Sequence, residues 1–288
     1  MLARSKNFEP YVLSAPAALL LGTFLIVPIF MVLTLSFSKF DDRLGIQAIY
    51  SLRNYLEILT DEYFWSIFIR TIRIALLVTA ATAFLGVPEA YILYRMRPKL
   101  RSVFLLIILA PLFISVVSRT LGWALLFGST GVVNQALVGS GLISSPVKFM
   151  YTELGITITL VHVLIPYMVI AVWGSLLRLD PKVLNAAISL GASPRTAFFR
   201  VILPRIVPGV LSGAIIVFSL AASAFATPAI IGGRRLKVVS TLAYDEFLNT
   251  LNWPLGAAVA ILLLVVITLL IALLNRTLER RYSGLSES

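Results

Sequence analysis

Six apolar segments, each long enough to cross a bilayer, constrain this chain more than any other feature. They run over about residues 11–36, 67–94, 103–127, 153–177, 206–231 and 254–275. At about 1.5 Å per helical residue, each spans roughly 30 Å of hydrocarbon. No water is available there, so every backbone N–H and C=O must be satisfied within its own segment, which predicts a helix for each. The expected fold is an all-α, polytopic membrane bundle of six transmembrane helices. Composition agrees: hydrophobic residues make up 59% of the chain and charged residues only 13%, too few for the surface of a soluble domain. The first segment does not read as a cleavable signal. Its apolar run is too long, Pro16 and Pro28 interrupt it, and no small-residue cleavage site follows.

A net charge of +11 raises nucleic acid as a partner, but the basic residues follow the spans instead. With the N-terminus cytoplasmic, fourteen Lys and Arg fall on inner segments and seven on outer loops. That bias predicts both termini inside and no nucleic-acid partner. The longest outer loop, about 37–66, carries Asp41, Asp42, Glu57, Asp61 and Glu62 against three basic residues. Its balance could attract a basic docking protein or a cationic solute, but a plain solvated loop is the favoured reading. The tail from Ser283 onward reads as disordered.

Several chemistries have no residues to carry them. With no cysteine there is no disulfide and no thiolate metal site. No G-x-x-x-x-G-K-[ST] phosphate loop occurs, so the chain is not expected to hydrolyse ATP itself. No H-E-x-x-H or comparable ligand cluster occurs, so no metal is expected. His162, the lone histidine, lies mid-span without a nucleophile or carboxylate partner. It reads as a hydrogen-bonding group to a neighbouring helix, at a carbonyl freed by Pro166, rather than as a catalytic base.

Between the fourth and fifth segments lies a polar, basic interruption, DPKVLNAAISLGASPRTAFFRVILP, over Asp180 to Pro204. Its start and stop signals predict two short helices. Asp180 caps the first, with Pro181 at its first helical position, and Gly191 supplies the left-handed residue that ends it. Ser193 and Pro194 repeat the arrangement for a second helix, which Pro204 is expected to limit. The stretch resembles the EAA loop of binding-protein-dependent ABC transporter permeases. That motif runs Glu-Ala-Ala, three residues, Gly, nine residues, Ile, one residue, Leu-Pro. Here it reads Asn185-Ala186-Ala187, Gly191, Val201, Ile202 and Leu203-Pro204. Asn185 stands where an acid is usual, and Val201 replaces Ile.

The resemblance implies that residues 180–204 form a cytoplasmic coupling elbow seated in a groove of a separate ATPase subunit. Lys182, Asn185, Ala186, Ala187, Ser189, Gly191, Ser193, Leu203 and Pro204 would make that contact. Lys182, Asn185 and Ser189 share a helical face suited to polar contacts, and the small residues allow close approach to a groove wall. The resemblance also divides the chain into an N-terminal segment 1–66 with the first span, a permease core 67–275, and a cytoplasmic tail 276–288.

Other fragments resemble the spermidine/putrescine-type branch of these permeases. They are Gly86-Val87-Pro88 with Ala90-Tyr91, Arg119-Thr120 with Trp123, Gly131-Val132-Val133-Asn134, Pro166-Tyr167, and Phe225-Ala226-Thr227-Pro228 before Ile231-Gly232-Gly233. Charges inside spans are costly and mark function by default. Arg119 is expected beyond the midpoint of the third segment, lining a water-filled path with Trp123 one turn away, or snorkelling to headgroups. Trp123, Tyr167, Phe218 and Phe225 would offer aromatic faces to a cationic cargo, or simple packing. Glu89 departs from the branch pattern and is expected to pair with Arg95 or Arg97, with a substrate site as the lesser alternative.

The function implied is a permease subunit of an ATP-driven importer in the bacterial inner membrane. Its implied partners are an ATPase dimer holding ATP and Mg, a second permease, most simply a homologue, a solute-binding protein, and membrane lipids. The implied cargo is a polyamine or related small amine. The same branch also carries Fe(III), thiamine, phosphonates, opines and amino-acid-like solutes. A gradient-driven carrier is the alternative, disfavoured by the lack of a carboxylate at the centre of any span. An intramembrane enzyme is opposed by the missing catalytic sets.

Overall fold

The computed structural model describes residues 9–41, 43–47, 49–180, 182 and 187–282. Pro181, Asn185, Ala186 and the tail from Ser283 lie outside the described residues. In chain order come α1 (Glu9–Ser36), a hairpin of β1 (Lys39–Asp41) and β2 (Gly45–Gln47), α2 (Arg53–Thr60), α3 (Glu62–Arg95), α4 (Pro98–Leu109), α5 (Val116–Phe127) and α6 (Val132–Gly139). Then follow α7 (Glu153–Leu176), α8 (Pro194–Ala197), α9 (Leu203–Ala222), α10 (Val239–Leu248) and α11 (Trp253–Tyr282). Six stretches among the described residues are long and apolar enough to cross a membrane: 13–36, 62–95, 116–139, 153–176, 195–222 and 253–276.

The elements form two compact units, Met1–Trp65 with Leu242–Val266, and Ser66–Thr241 with Ile267–Ser288. In the first, Asn54 closes the end of α1. Its buried amide donates to the carbonyls of Ser36 (2.9 Å) and Ser38 (3.0 Å), which the ending helix leaves free. Ser36 Oγ and Tyr55 Oη share a further bond of 2.6 Å. Asp41 Oδ1 accepts the amide hydrogens of Arg43 and Leu44, tying the hairpin turn. Those two bonds, Arg43 first, hold the Asp41 carboxyl below its ordinary value.

The second unit holds the main core. Helix α7 packs most closely on α9. Gly209 and Gly213 set the spacing: a Cβ on Gly209 would lie 2.4 Å from Ser175 Cβ, and one on Gly213 only 2.7 Å from Met168 Sδ. Met168, fully buried, also fills the notch at Gly86 on α3, where a Cβ would meet its Cγ at 2.9 Å. Such Gly-x-x-x-Gly contacts suit a membrane, where lipid offers apolar surface as readily as protein does and packing must supply the attraction.

Two expected spans are redrawn. The third segment, expected over 103–127, is not one helix. It breaks after a 3₁₀ turn at Ala110–Phe113, where Ile114 and Ser115 become extended, and resumes as α5. Pro111 has no N–H to continue the ladder, and the tighter turn ends the first piece. Arg119 is consequently the fourth residue of a new helix, not a position past the middle of an old one. The fifth segment, expected over 206–231, starts earlier and stops at Ala222. Ser240 Oγ donates to the Ala224 carbonyl at 2.5 Å, stabilising the non-helical turn beyond it.

Candidate functional site

The elbow ends its first helix by local chemistry. Gly191 has φ +86°, the left-handed conformation that a Cβ disfavours. The amide of Ala192 donates to the Ala187 carbonyl (3.0 Å) and that of Gly191 to Ile188 (2.9 Å). These are the paired bonds of a Schellman cap. At its start, Asp180 Oδ1 accepts the Lys182 amide at 2.9 Å. Ser193 Oγ accepts the Thr196 amide at 3.2 Å, as an N-cap for the next helix. Lys182, Ser189, Gly191, Ser193 and Pro204 are exposed, while Ala187 and Leu203 are half-buried. Exposed apolar side chains stand among them: Leu190 at 88%, Ile188 at 47% and Phe199 at 63%.

Pro204 does not limit the second helix, contrary to the sequence expectation. Residues Phe198–Ile202 form a π-helical turn, and α8 continues through it into α9. Proline cannot donate to the carbonyl four residues back, and a wider turn bridges the gap. Leu203 N–H bonds instead to Phe198 C=O. The second elbow helix is thus continuous with the fifth span. It also touches the second: Phe198 packs on Tyr91 of α3 with ring centroids 4.7 Å apart. A shallow groove runs beside this joint, lined by Pro88, Tyr91, Ile92, Arg95, Arg195, Phe198 and Phe199.

Within the spans, the structure brings some candidates together and leaves others apart. Arg119 Nε and Nη1 are buried with no hydrogen-bond partner among the described residues. One turn on, half-buried Trp123 donates its indole N–H to His162 Nδ1 at 3.0 Å. His162 therefore does bond a neighbouring helix, but through Trp123 rather than a carbonyl freed by Pro166. Because an indole nitrogen only donates, Nδ1 must present its lone pair. Phe218 is 4% exposed in the core, Tyr167 is half-buried beside it, and Phe225 is 39% exposed. Glu89 forms no ion pair with Arg95 or Arg97. Arg95 instead donates to Tyr91 Oη at 3.2 Å and lies over its ring.

Two pairings escape any reading of the sequence alone. Thr120 and Thr227 hydroxyls meet at 3.0 Å in a buried bond that ties α5 to the turn at Pro228–Gly232. Asn134, 1% exposed, donates to the Gly128 and Val147 carbonyls and accepts the Val147 amide. Both lie in fragments singled out above, and their role here is to fasten loops.

The comparisons with known proteins match this architecture. Residues 12–284 match the family described as "Binding-protein-dependent transport system inner membrane component". The chain is 31% identical over 263 residues to the spermidine/putrescine transport system permease protein PotB of Escherichia coli (strain K12), covering 89% of this chain and 95% of that protein. The PotB of Salmonella typhimurium (strain SL1344) is 30% identical over 267 residues, 92% of this chain and 93% of the relative. Among solved structures, a bacterial alginate ABC transporter in complex with an alginate pentasaccharide-bound periplasmic protein superposes with a TM-score of 0.77 at 20% identity, covering 96% of this chain and 95% of that one. At that identity the likeness speaks for the fold alone. The chain belongs to the binding-protein-dependent transport system inner membrane components, in their spermidine/putrescine-type branch, and is a multi-pass ABC permease of the inner membrane.

Proposed function

We propose that this chain forms half of the translocation pathway of an ATP-driven importer, with residues 67–275 as permease core and 180–204 as coupling elbow. A second permease supplies the other half, a solute-binding protein delivers cargo on the outer face, and two ATPase subunits engage the elbow inside. Both termini then face the cytoplasm. The observation that carries this reading is the continuity of the second elbow helix with α9 together with the elbow's exposed Ile188, Leu190 and Phe199. Apolar knobs on a basic, solvent-facing elbow call for a groove to receive them. A push on the second elbow helix would pass without a break into α9. Because the Gly209–Ser175 and Gly213–Met168 contacts leave no slack, it would pass on to α7 as well.

The cargo best supported is a polyamine or a related small amine, on the strength of the PotB relatives that the chain resembles along most of its length. Half-buried Glu89, without an ion pair among the described residues, and the faces of Trp123 and Tyr167 would suit a cation at low affinity. Selectivity would then rest with the binding protein.

Purification of the native complex from its own membranes, followed by mass spectrometry, tests the assembly. An ATPase and a second six-span permease should co-purify, and thermal-shift screening of the accompanying binding protein should identify an amine. A chain reproducibly free of any ATPase would replace this reading with a gradient-driven carrier.

A further inference from the structure

At one end of the second unit, three segments carry six basic residues against a single acid. Residues 66–73, 128–153 and 223–241 hold Arg70, Arg73, Lys148, Arg234, Arg235 and Lys237, with Glu153 as the lone carboxylate. The segments are bonded into one frame. Arg70 Nη1 donates to the Lys237 carbonyl at 2.9 Å, and its Nε lies 3.5 Å from Glu153, which Arg73 also grips. Thr71 Oγ1 accepts the Val239 amide at 3.0 Å, and the Tyr151 amide donates to Ile231 at 2.8 Å. Arg235 lies over the Tyr151 ring at 5.7 Å. Arg73, Lys148, Arg234 and Arg235 are exposed.

We infer that this cluster is a preorganised docking surface for a carboxylate-rich face of the solute-binding protein. The inference rests on the importer reading, which puts these segments on the outer side. Three arguments single out that occupant. Outer loops of such chains are ordinarily depleted in Lys and Arg, so a convergent outer cluster calls for a specific cause. Attraction to anionic lipid acts chiefly on the cytoplasmic leaflet. A cationic cargo would be repelled, so the cluster is not its entrance. A rigid positive patch steers an acidic protein into register and speeds encounter, an effect that salt screens.

The test uses the whole transporter in nanodiscs, with ATPase stimulation titrated against the binding protein that co-purifies with it. The Arg234→Glu/Arg235→Glu variant should raise the half-saturating binding-protein concentration about tenfold at low salt. High salt should shrink that gap. Lys148→Glu, on a different segment, should act in the same direction and guards against misfolding of the double variant. Arg43→Glu, the same single charge reversal as Lys148→Glu but in the first unit, should leave half-saturation as in the wild type. Equal half-saturation for wild type and both patch variants would overturn the docking surface. So would a defect that vanishes when anionic lipid is left out of the nanodisc, which would mark a headgroup site. Failure of any binding protein to stimulate the wild type, at any salt, would instead sink the importer reading itself.

Discussion

At the scale of single residues, the closest contact in the core makes the sharpest claim. Gly209 has no room for a side chain, because Ser175 Cβ already sits where its own would begin. Gly209→Ala should lower thermal stability by about 1–3 kcal/mol, the usual cost of overpacking. Ser175→Gly should restore part of it, and a double-mutant cycle by fluorescence-detected thermal unfolding would read the coupling. The Thr120–Thr227 bond should show a different asymmetry. Losing one hydroxyl strands the other in a buried site, whereas replacing both with Val removes the need for a partner. The double variant should therefore be less destabilised than the two single variants sum to. At the hairpin, Asp41 is held ionised by the Arg43 and Leu44 amides, with its carboxyl below the ordinary value. The turn is favoured above the usual carboxylate range and loses that support as pH falls through the lowered value. The protection factors of those two amides, taken relative to intrinsic exchange at each pH, should fall on acidification in the wild type and show no such acid step in Asp41→Asn.

At the scale of elements, Gly191 separates conformation from crowding. Among the described residues nothing lies within 4 Å of where its Cβ would be, and its left-handed backbone is the restriction that remains. Gly191→Asn should retain transport, since Asn tolerates that region. Gly191→Leu should insert normally and fail to transport, as followed by solute uptake at matched membrane abundance. The helices and both elbow caps were legible in the sequence because their causes are local. The bonds at Asp180, Gly191 and Ser193 each span two to five residues. What was not legible depends on distant partners. The third segment breaks near Pro111, but only the fold decides whether a proline kinks a helix or ends it. The end of α9 involves Ser240, sixteen residues beyond the carbonyl it holds. Trp123 and His162 are 39 positions apart, Thr120 and Thr227 107, and periodicity carries no signal at such range. Pro204 misled for the same reason, since the π turn that carries the helix past it is a property of the whole run.

At the scale of the molecule, ATP dependence is the decisive property. Uptake should cease when ATP is exhausted while the membrane potential persists, measured in vesicles with an imposed potential. Continued uptake would point to gradient coupling.

The two ends of the sequence's tolerance lie in different helices. None of the membrane-length window of α1 is buried, and among the residues whose burial is described none of α1 stands in the main core cluster. Within this chain its exposed apolar side chains are read as a sum. Leu19, Phe24 or Ile26 can be exchanged for one another with little consequence, as long as the total hydropathy persists. Helix α7 is read letter by letter against Gly209, Gly213 and Gly86. Over evolutionary time α1 should drift freely in order while keeping its composition. The α7–α9 seam should stay fixed, so a saturation scan of both would recover two different grammars in one chain.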